Sequence, residues 1–211
     1  MQKQILSQSS PVREIIVNNA LLSIETELPK ELCQIIVDQY GDRETEQGTV
    51  QKFNNEGTEH ELIVKESGRK TAVHWIDQKK WVIPMISYYI ENINNIYFQY
   101  DLSGVSGGTL QYGIYKEGGH YDWHCDETRN LYYVTQNKET IRKLSFSLQL
   151  SDPDDYEGGD LLMKIGDKER VQSRERGTLI VFDSRQLHKV TPVTSGVRHS
   201  LVGWFVGPPW R

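Results

Sequence analysis

A mainly β fold of the double-sheet barrel or jelly-roll type, with flanking α-helices, is what this sequence predicts. Three observations point there. From Phe98 onward, apolar residues recur at a spacing of two in short runs. Turn-forming clusters, "SGVSGG", "DPDDYEGG", "IGDKER" and "TSG", separate those runs. Helical spacing of apolar residues is confined to two segments that precede them. Many short strands with a few supporting helices suit a sandwich or jelly roll. The chain has 211 residues, enough for one well-cored domain. No linker divides it, so residues 1–211 are expected to form one unit. Within it, 1–98 would be a helical and loop support region and 99–211 the jelly-roll core.

The elements follow in order. "LPKELCQIIVDQYG" begins with Pro29 and ends with Gly41, ordinary start and stop signals for a helix. Leu32, Ile35, Ile36 and Tyr40 would form its apolar stripe. The polar stretch from Asp42 to Lys70 holds three glycines and is expected to be a long loop or ragged hairpin. A second helix is predicted through "QKKWVIPMISYYIENINN", with Val82, Met85, Ile86, Tyr89, Ile90 and Ile93 facing the core and Pro84 in the first turn. In "TLQYGIYK", Leu110, Tyr112 and Ile114 alternate with Gln111, Gly113 and Tyr115. In "KLSFSLQLS", Leu144, Phe146, Leu148 and Leu150 alternate with Ser145, Ser147 and Gln149. "GTLIVFDS" is apolar and β-rich, and "VRHSLVGWFV" places Arg198, Ser200, Val202 and Trp204 on one face.

Composition narrows the class. The net charge is −5 and no stretch is densely basic, which argues against a nucleic-acid partner. No apolar run approaches the length of a membrane span, and the first residues lack a signal-peptide core, so no membrane partner is expected. Two distant cysteines, Cys33 and Cys125, are too few for a disulfide framework and fit a reducing, cytoplasmic setting.

The stretch with chemical content is "GGHYDWHCDE". It holds His-x-Asp twice, as His120/Asp122 and His124/Asp126. Residues two apart on a regular strand share a face, so all four side chains would project one way. A lone His-x-Asp is a weak motif. A third histidine, His188, follows the β-rich run, however, and two imidazoles with one carboxylate make the facial triad of non-haem Fe(II) oxygenases. Such a triad leaves coordination positions open, whereas a structural zinc site is closed by four ligands. Arg198 lies ten residues past His188. If the two stand on neighbouring strands, the turn "PVTSG" brings a guanidinium near the metal, suited to a dicarboxylate's far end. Ser200 shares Arg198's face and would donate a further hydrogen bond. His120 and Asp122 are expected to be a solvated turn or to orient a ligand imidazole. His199 is expected to be structural. Trp75, Trp81, Trp123 and Trp210 are expected to be packing residues.

"YKEGGHYDWHCD", "DPDDYEGGDL" and "LHKVTPVTSGVRHSLVGWF" resemble the prolyl 4-hydroxylase-like branch of the Fe(II)/2-oxoglutarate-dependent dioxygenases, over about Leu110 to Phe205. The resemblance implies a double-stranded β-helix with iron held by His124, Asp126 and His188. It places Tyr121 three residues before the first ligand, and Arg198 as the basic anchor of 2-oxoglutarate. Tyr115 is implied to hydrogen-bond the same carboxylate, and Trp204 matches an active-site tryptophan six residues past the arginine. Gln149 stands where some prolyl hydroxylases have a tyrosine against 2-oxoglutarate. The implied cofactors are Fe(II), 2-oxoglutarate and O2, with ascorbate as a reductant. The implied reaction hydroxylates a C–H bond, releasing succinate and CO2, most readily on a prolyl residue of a peptide or protein. Rival readings are the same chemistry on a free amino acid, another side chain or a nucleobase, and a non-catalytic metal-binding jelly roll. The segments Arg43–Lys70 and Glu127–Arg142 are candidates for covering the site. The residues do not fix an oligomeric state.

Overall fold

A computed structural model describes residues 12–17, 20–53, 60–127, 133–135 and 138–210. Two antiparallel sheets face each other. The larger runs in the order Arg13–Val17, Ala20–Glu27, Thr178–Asp183, Lys138–Gln149, Arg198–Gly207, Thr109–Tyr115, Ala72–Asp77 and Glu46–Gln47. The smaller runs Lys168–Val171, Leu161–Ile165, Leu187–Val190, His120–His124 and Arg69–Lys70. Neighbouring strands are mostly far apart in sequence, as a jelly roll requires.

Two helices, α1 (Lys30–Tyr40) and α2 (Val82–Ile93), pack on the outer face of the larger sheet. Cys33, Ile36 and Tyr40 of α1 and Val82, Ile83, Ile86, Ile90 and Ile93 of α2 are buried against Leu110, Tyr112, Leu144, Leu148, Leu179, Val181, Leu201 and Phe205. Each such aliphatic side chain stabilises the fold by roughly 1.5–3 kcal/mol relative to exposure. Pro84 occupies the third helical position of α2, where no backbone donor is needed. A second apolar cluster fills the space between the sheets, with Tyr115, Leu161, Met163, Ile180, Phe182, Val190 and Val193. The strand Thr178–Asp183 is apolar on both faces for this reason. Leu179 and Val181 meet the helices while Ile180 and Phe182 meet the other sheet.

Two expectations are corrected. The first 98 residues are not only helix and loop. Ala20–Glu27 pairs with Thr178–Asp183, and Ala72–Asp77 pairs with Thr109–Tyr115, so this region supplies strands to the larger sheet. Polar residues at 23, 25 and 26, all buried, disguise the first of these strands. In α1 the buried stripe runs through Cys33 rather than Ile35, which is 49% exposed. Cys33, Ile36 and Tyr40 stand at i, i+3 and i+7, and Ile35 lies about 100° round the helix from Ile36. The expected hairpin in the polar stretch is present as Val50–Phe53 paired with His60–Ile63. Its intervening residues 54–59 lie outside the described ones, as do 128–132 and 136–137 of the second candidate cover. No helix among the described residues is long and apolar enough to cross a membrane.

Gly203 lies opposite Phe146 across the central strand pair. A Cβ there would stand 2.6 Å from Leu110 Cδ2 and 2.8 Å from Phe146 Cε1. Gly203→Ala should therefore destabilise the protein by about 1–3 kcal/mol, measured by urea denaturation, because the core has no room for even one methyl.

Candidate metal centre

His124 and His188 are direct cross-strand neighbours in the smaller sheet, on His120–His124 and Leu187–Val190. Their ring centroids are 4.1 Å apart. The register shifts between Tyr121 and His124: Tyr121 pairs with Val190 and His124 with His188. Three residues on one strand thus span two on the other, a β-bulge. The bulge puts Tyr121 and His124 on the same face despite their odd spacing, and their rings stack at 3.6 Å. It also overturns the expectation that His120, Asp122, His124 and Asp126 project together. Asp122 is exposed, and His120 Nδ1 bonds the Gly118 carbonyl at 3.0 Å. The first His-x-Asp pair stays out of the donor cluster.

Asp126 reaches the site by another route. It lies in a bend past the strand end, where its backbone N–H and that of Glu127 both donate to the Ser184 carbonyl at 2.9 Å. One ligand atom each from His124, Asp126 and His188 falls within 4.8 Å of the others, a separation one ion can span. Cys125, between two of them, points away and donates to the Arg185 carbonyl at 3.1 Å.

The two imidazoles are oriented alike. His124 Nδ1 donates to the Asp122 carbonyl at 2.7 Å, and His188 Nδ1 donates to the Gln186 carbonyl at 2.8 Å. A carbonyl only accepts, so both rings carry hydrogen on Nδ1, and each Nε2 faces the Asp126 carboxylate. Asp122 thus serves the site through its main chain. Burial, then the neighbouring His188, pushes His124 down to about 3, so it is neutral. Burial alone would raise the Asp126 carboxyl. His188, His124, Arg142 and a hydrogen bond from Ser145 outweigh it and hold the carboxyl ionised, below its usual range. Two imidazoles and a carboxylate are a donor set suited to a divalent iron.

The cluster opens on a cavity of about 1000 Å3 between the sheets. Arg198 stands on its far wall, 1% exposed. The sequence-based picture of His188 and Arg198 on neighbouring strands is corrected here. Leu187–Val190 belongs to the smaller sheet and Arg198–Gly207 to the larger. The connecting Val193–Gly196 pairs instead with Tyr156–Gly158, and the two residues face each other across the cavity. Tyr115 is the direct cross-strand neighbour of Arg198, whose Cζ lies 5.1 Å from the tyrosine ring centroid. Gly159 has φ +64°, and a Cβ on it would stand 3.1 Å from Arg198 Cδ. Its glycine therefore serves the arginine stem as well as the turn. Ser200 and Trp204 line the same wall, as the alternation predicts.

Gln149 is corrected. It does not line the cavity but stands behind Arg198, accepting from its Nη2 at 2.9 Å. Arg198 Nε and Nη1 are buried with no hydrogen-bond partner among the described residues. A guanidinium held by one neutral amide, with two buried donors left over, fits a carboxylate group of a ligand.

Trp75, Arg69 and Arg142 are among the cavity residues that lay outside the sequence-based set. Trp75, expected to be packing, lines the cavity with its ring 6.5 Å from Trp204. Reading "AVHWID" as a strand would have found it. Arg69, 6% exposed, lies 4.5 Å from the Tyr121 ring and bonds the Thr49 carbonyl, tying the Arg43–Lys70 segment to the site. Arg142 stacks on Trp204 at 3.7 Å. Simple alternation from Ser145, Ser147 and Gln149 would have put Lys143 in the cavity. A register shift between Arg142 and Leu144 puts Arg142 there instead.

Residues 110–206 match the model of the 2OG-Fe(II) oxygenase superfamily. A PKHD-type hydroxylase of Rippkaea orientalis is 35% identical over 96 residues, 46% of this chain and 41% of that protein. One of Pseudomonas putida is 38% identical over 91 residues, 43% and 39% respectively. The matched region is thus about two-fifths of the length of these relatives. A Pseudomonas putida prolyl-4-hydroxylase structure superposes with a TM-score of 0.64 at 22% identity, covering 86% of this chain and 89% of that one. The 2OG complex of a viral collagen prolyl hydroxylase from Paramecium bursaria Chlorella virus-1 gives 0.63 at 17% identity, covering 91% and 99%. These likenesses show the fold, a jelly roll.

Asp183 braces the turn that holds Asp126. Burial alone would raise its carboxyl, but hydrogen bonds from Arg185 and Tyr100 prevail and lower it. A depressed carboxyl contributes stability above its unfolded value near 3.8 that is lost as pH falls through the folded one. Asp183→Asn should be less stable than the parent at pH 7, and the gap should narrow as pH falls below about 4. Urea midpoints across pH 3–7 measure this.

Proposed function

We propose that this chain, whose residues 110–206 match the model of the 2OG-Fe(II) oxygenase superfamily, is an Fe(II)- and 2-oxoglutarate-dependent dioxygenase that hydroxylates a prolyl residue of a peptide or protein. His124, Asp126 and His188 would hold the iron, and Arg198 with Tyr115 would hold the distal carboxylate of 2-oxoglutarate. Ser200 offers a hydroxyl beside that carboxylate, and Gln149 fixes the guanidinium from behind. When bound, iron, 2-oxoglutarate and O2 supply the oxidising chemistry, with release of succinate and CO2 and with ascorbate as a reductant of the metal.

The chain's own contribution is binding and orientation. The carbonyls of Asp122 and Gln186 orient the imidazoles, so both Nε2 atoms converge with the Asp126 carboxylate. Tyr121 lies flat on His124 and limits water on that side of the ring. Burial pushes its phenol up to about 12, so it stays neutral and contributes no charge against the carboxylate. At the cavity mouth Trp75 and Trp204 present aromatic surface to a substrate, and one solved neighbour, a Trichoplax adhaerens prolyl hydroxylase, holds a peptide fragment. That neighbour shares 16% identity, so the peptide substrate rests on analogy of site and fold.

The observation that carries the reading is Arg198. A module that merely held a metal would leave two buried guanidinium donors without a partner, 1% exposed on the wall across from the ligands. Hydroxylation of another amino acid or of a nucleobase uses the same machinery, and the choice of substrate decides between them.

Fe(II)-dependent conversion of 2-oxoglutarate to succinate is expected with Pro-containing peptides, together with +16 Da products by mass spectrometry, and neither in His124→Ala. An absence of 2-oxoglutarate binding, and of turnover with peptides, amino acids and nucleic acids alike, would overturn the proposal. Products only on free amino acids or nucleobases would overturn the prolyl part alone. Arg198→Ala should weaken 2-oxoglutarate binding by about 30-fold or more while leaving metal binding within a few-fold, read by titration calorimetry.

A further inference from the structure

We infer that Trp210 is a positioning residue for the metal-ligating carboxylate, acting through Glu127; the inference rests on the metal reading of His124, Asp126 and His188. Asp126 stands past the end of its strand, so no sheet ladder holds it. Its place depends on the two backbone N–H groups of Asp126 and Glu127, which share the Ser184 carbonyl at 2.9 Å each. Ser184 is in turn held by the Lys143 carbonyl, which accepts its N–H at 3.0 Å, and by the Ser145 hydroxyl at 2.9 Å.

Glu127 adds a further restraint. Its carboxylate is 10% exposed and accepts from Trp210 Nε1 at 2.8 Å, while Arg185 Nε stays 4.0 Å away. A carboxylate this buried is costly without a donor, and Trp210 supplies the close one.

Trp210 is itself held by three neighbouring side chains. Lys143 Nζ lies 3.2 Å from its ring centroid and Arg185 Cζ 4.1 Å. Tyr100 meets it edge-on at 4.9 Å and donates its hydroxyl to Asp183, which also pairs with Arg185. These contacts span the Lys138–Gln149 strand, the 183–186 turn and the residues after His124. One indole thus joins the three segments from which the Asp126 position is built. Nothing in the chemistry proposed above uses it.

Titration of the metal-free chain with Co(II), followed by its visible absorption, tests this without turnover. Trp210→Phe keeps an aromatic ring and removes the donor. It should weaken Co(II) binding by about 10-fold and alter the absorption bands, in a protein that stays folded at the assay temperature. Glu127→Ala should do the same, whereas Glu127→Gln, which keeps an acceptor oxygen, should remain within about 3-fold of the parent. The double variant Trp210→Phe/Glu127→Ala should be no weaker than either single one. Affinity in Trp210→Phe and Glu127→Ala within twofold of the parent, or additive losses in the double variant, would overturn the inference. Should Trp210→Phe not fold, the Ala and Gln variants of Glu127 decide alone: equal affinities overturn it. If the parent itself binds no Co(II) in a His124-dependent way, it is the metal reading that fails.

Discussion

The pairing of His120–His124 with Leu187–Val190 is the interaction on which the site depends. It sets two imidazoles opposite each other with centroids 4.1 Å apart. A β-bulge in the same pairing turns Tyr121 onto the His124 ring and sends Asp122 outward. A one-residue slip would carry one of the histidines to the outer face, where Trp123 lies near Lys164 and Lys189. The apolar cluster between the sheets, Met163 and Phe182 in particular, packs directly around His188. Core packing and ligand placement are therefore one constraint.

Charge is divided across the cavity. The carboxylate of Asp126 lies with the imidazoles on one side, and the guanidinium of Arg198 lies on the other with two donors unfilled. Separation matters because an arginine in contact with Asp126 would satisfy it and leave neither group available to a ligand. Different sheets hold the two groups apart, and each is braced from behind: Arg198 by Gln149, and Asp126 through Ser184 and Glu127. The region before residue 98 encloses this arrangement. Arg69 reaches from that region to the Tyr121 ring, and Trp75 supplies part of the mouth.

Periodicity and chemistry were legible where the backbone is regular. The alternation in "TLQYGIYK" and "VRHSLVGWFV" places Tyr115, Arg198, Ser200 and Trp204 on the cavity face, as found. Both helices were marked by apolar spacing, and α1 also by its proline and glycine signals. Where the strands bulge, the pattern misleads. Alternation would put Lys143 in the cavity and keep Arg142 out, and it would align His120 with His124. The strand Ala20–Glu27 escaped notice because its buried positions include Ser23, Glu25 and Thr26, whose polarity is met by partners such as Gln172.

The sequence by itself determined the fold class, the two helices, the donor types and the resemblance that singles out His124, Asp126 and His188. These follow from local spacing and residue chemistry, which need no knowledge of distant contacts. Tertiary structure alone decided that His188 and Arg198 face each other from opposite sheets, that Gln149 braces rather than lines the site, and that Trp210 reaches Glu127. Each depends on strand order, register shifts or contacts between residues 49 to 83 positions apart, and no local pattern encodes those.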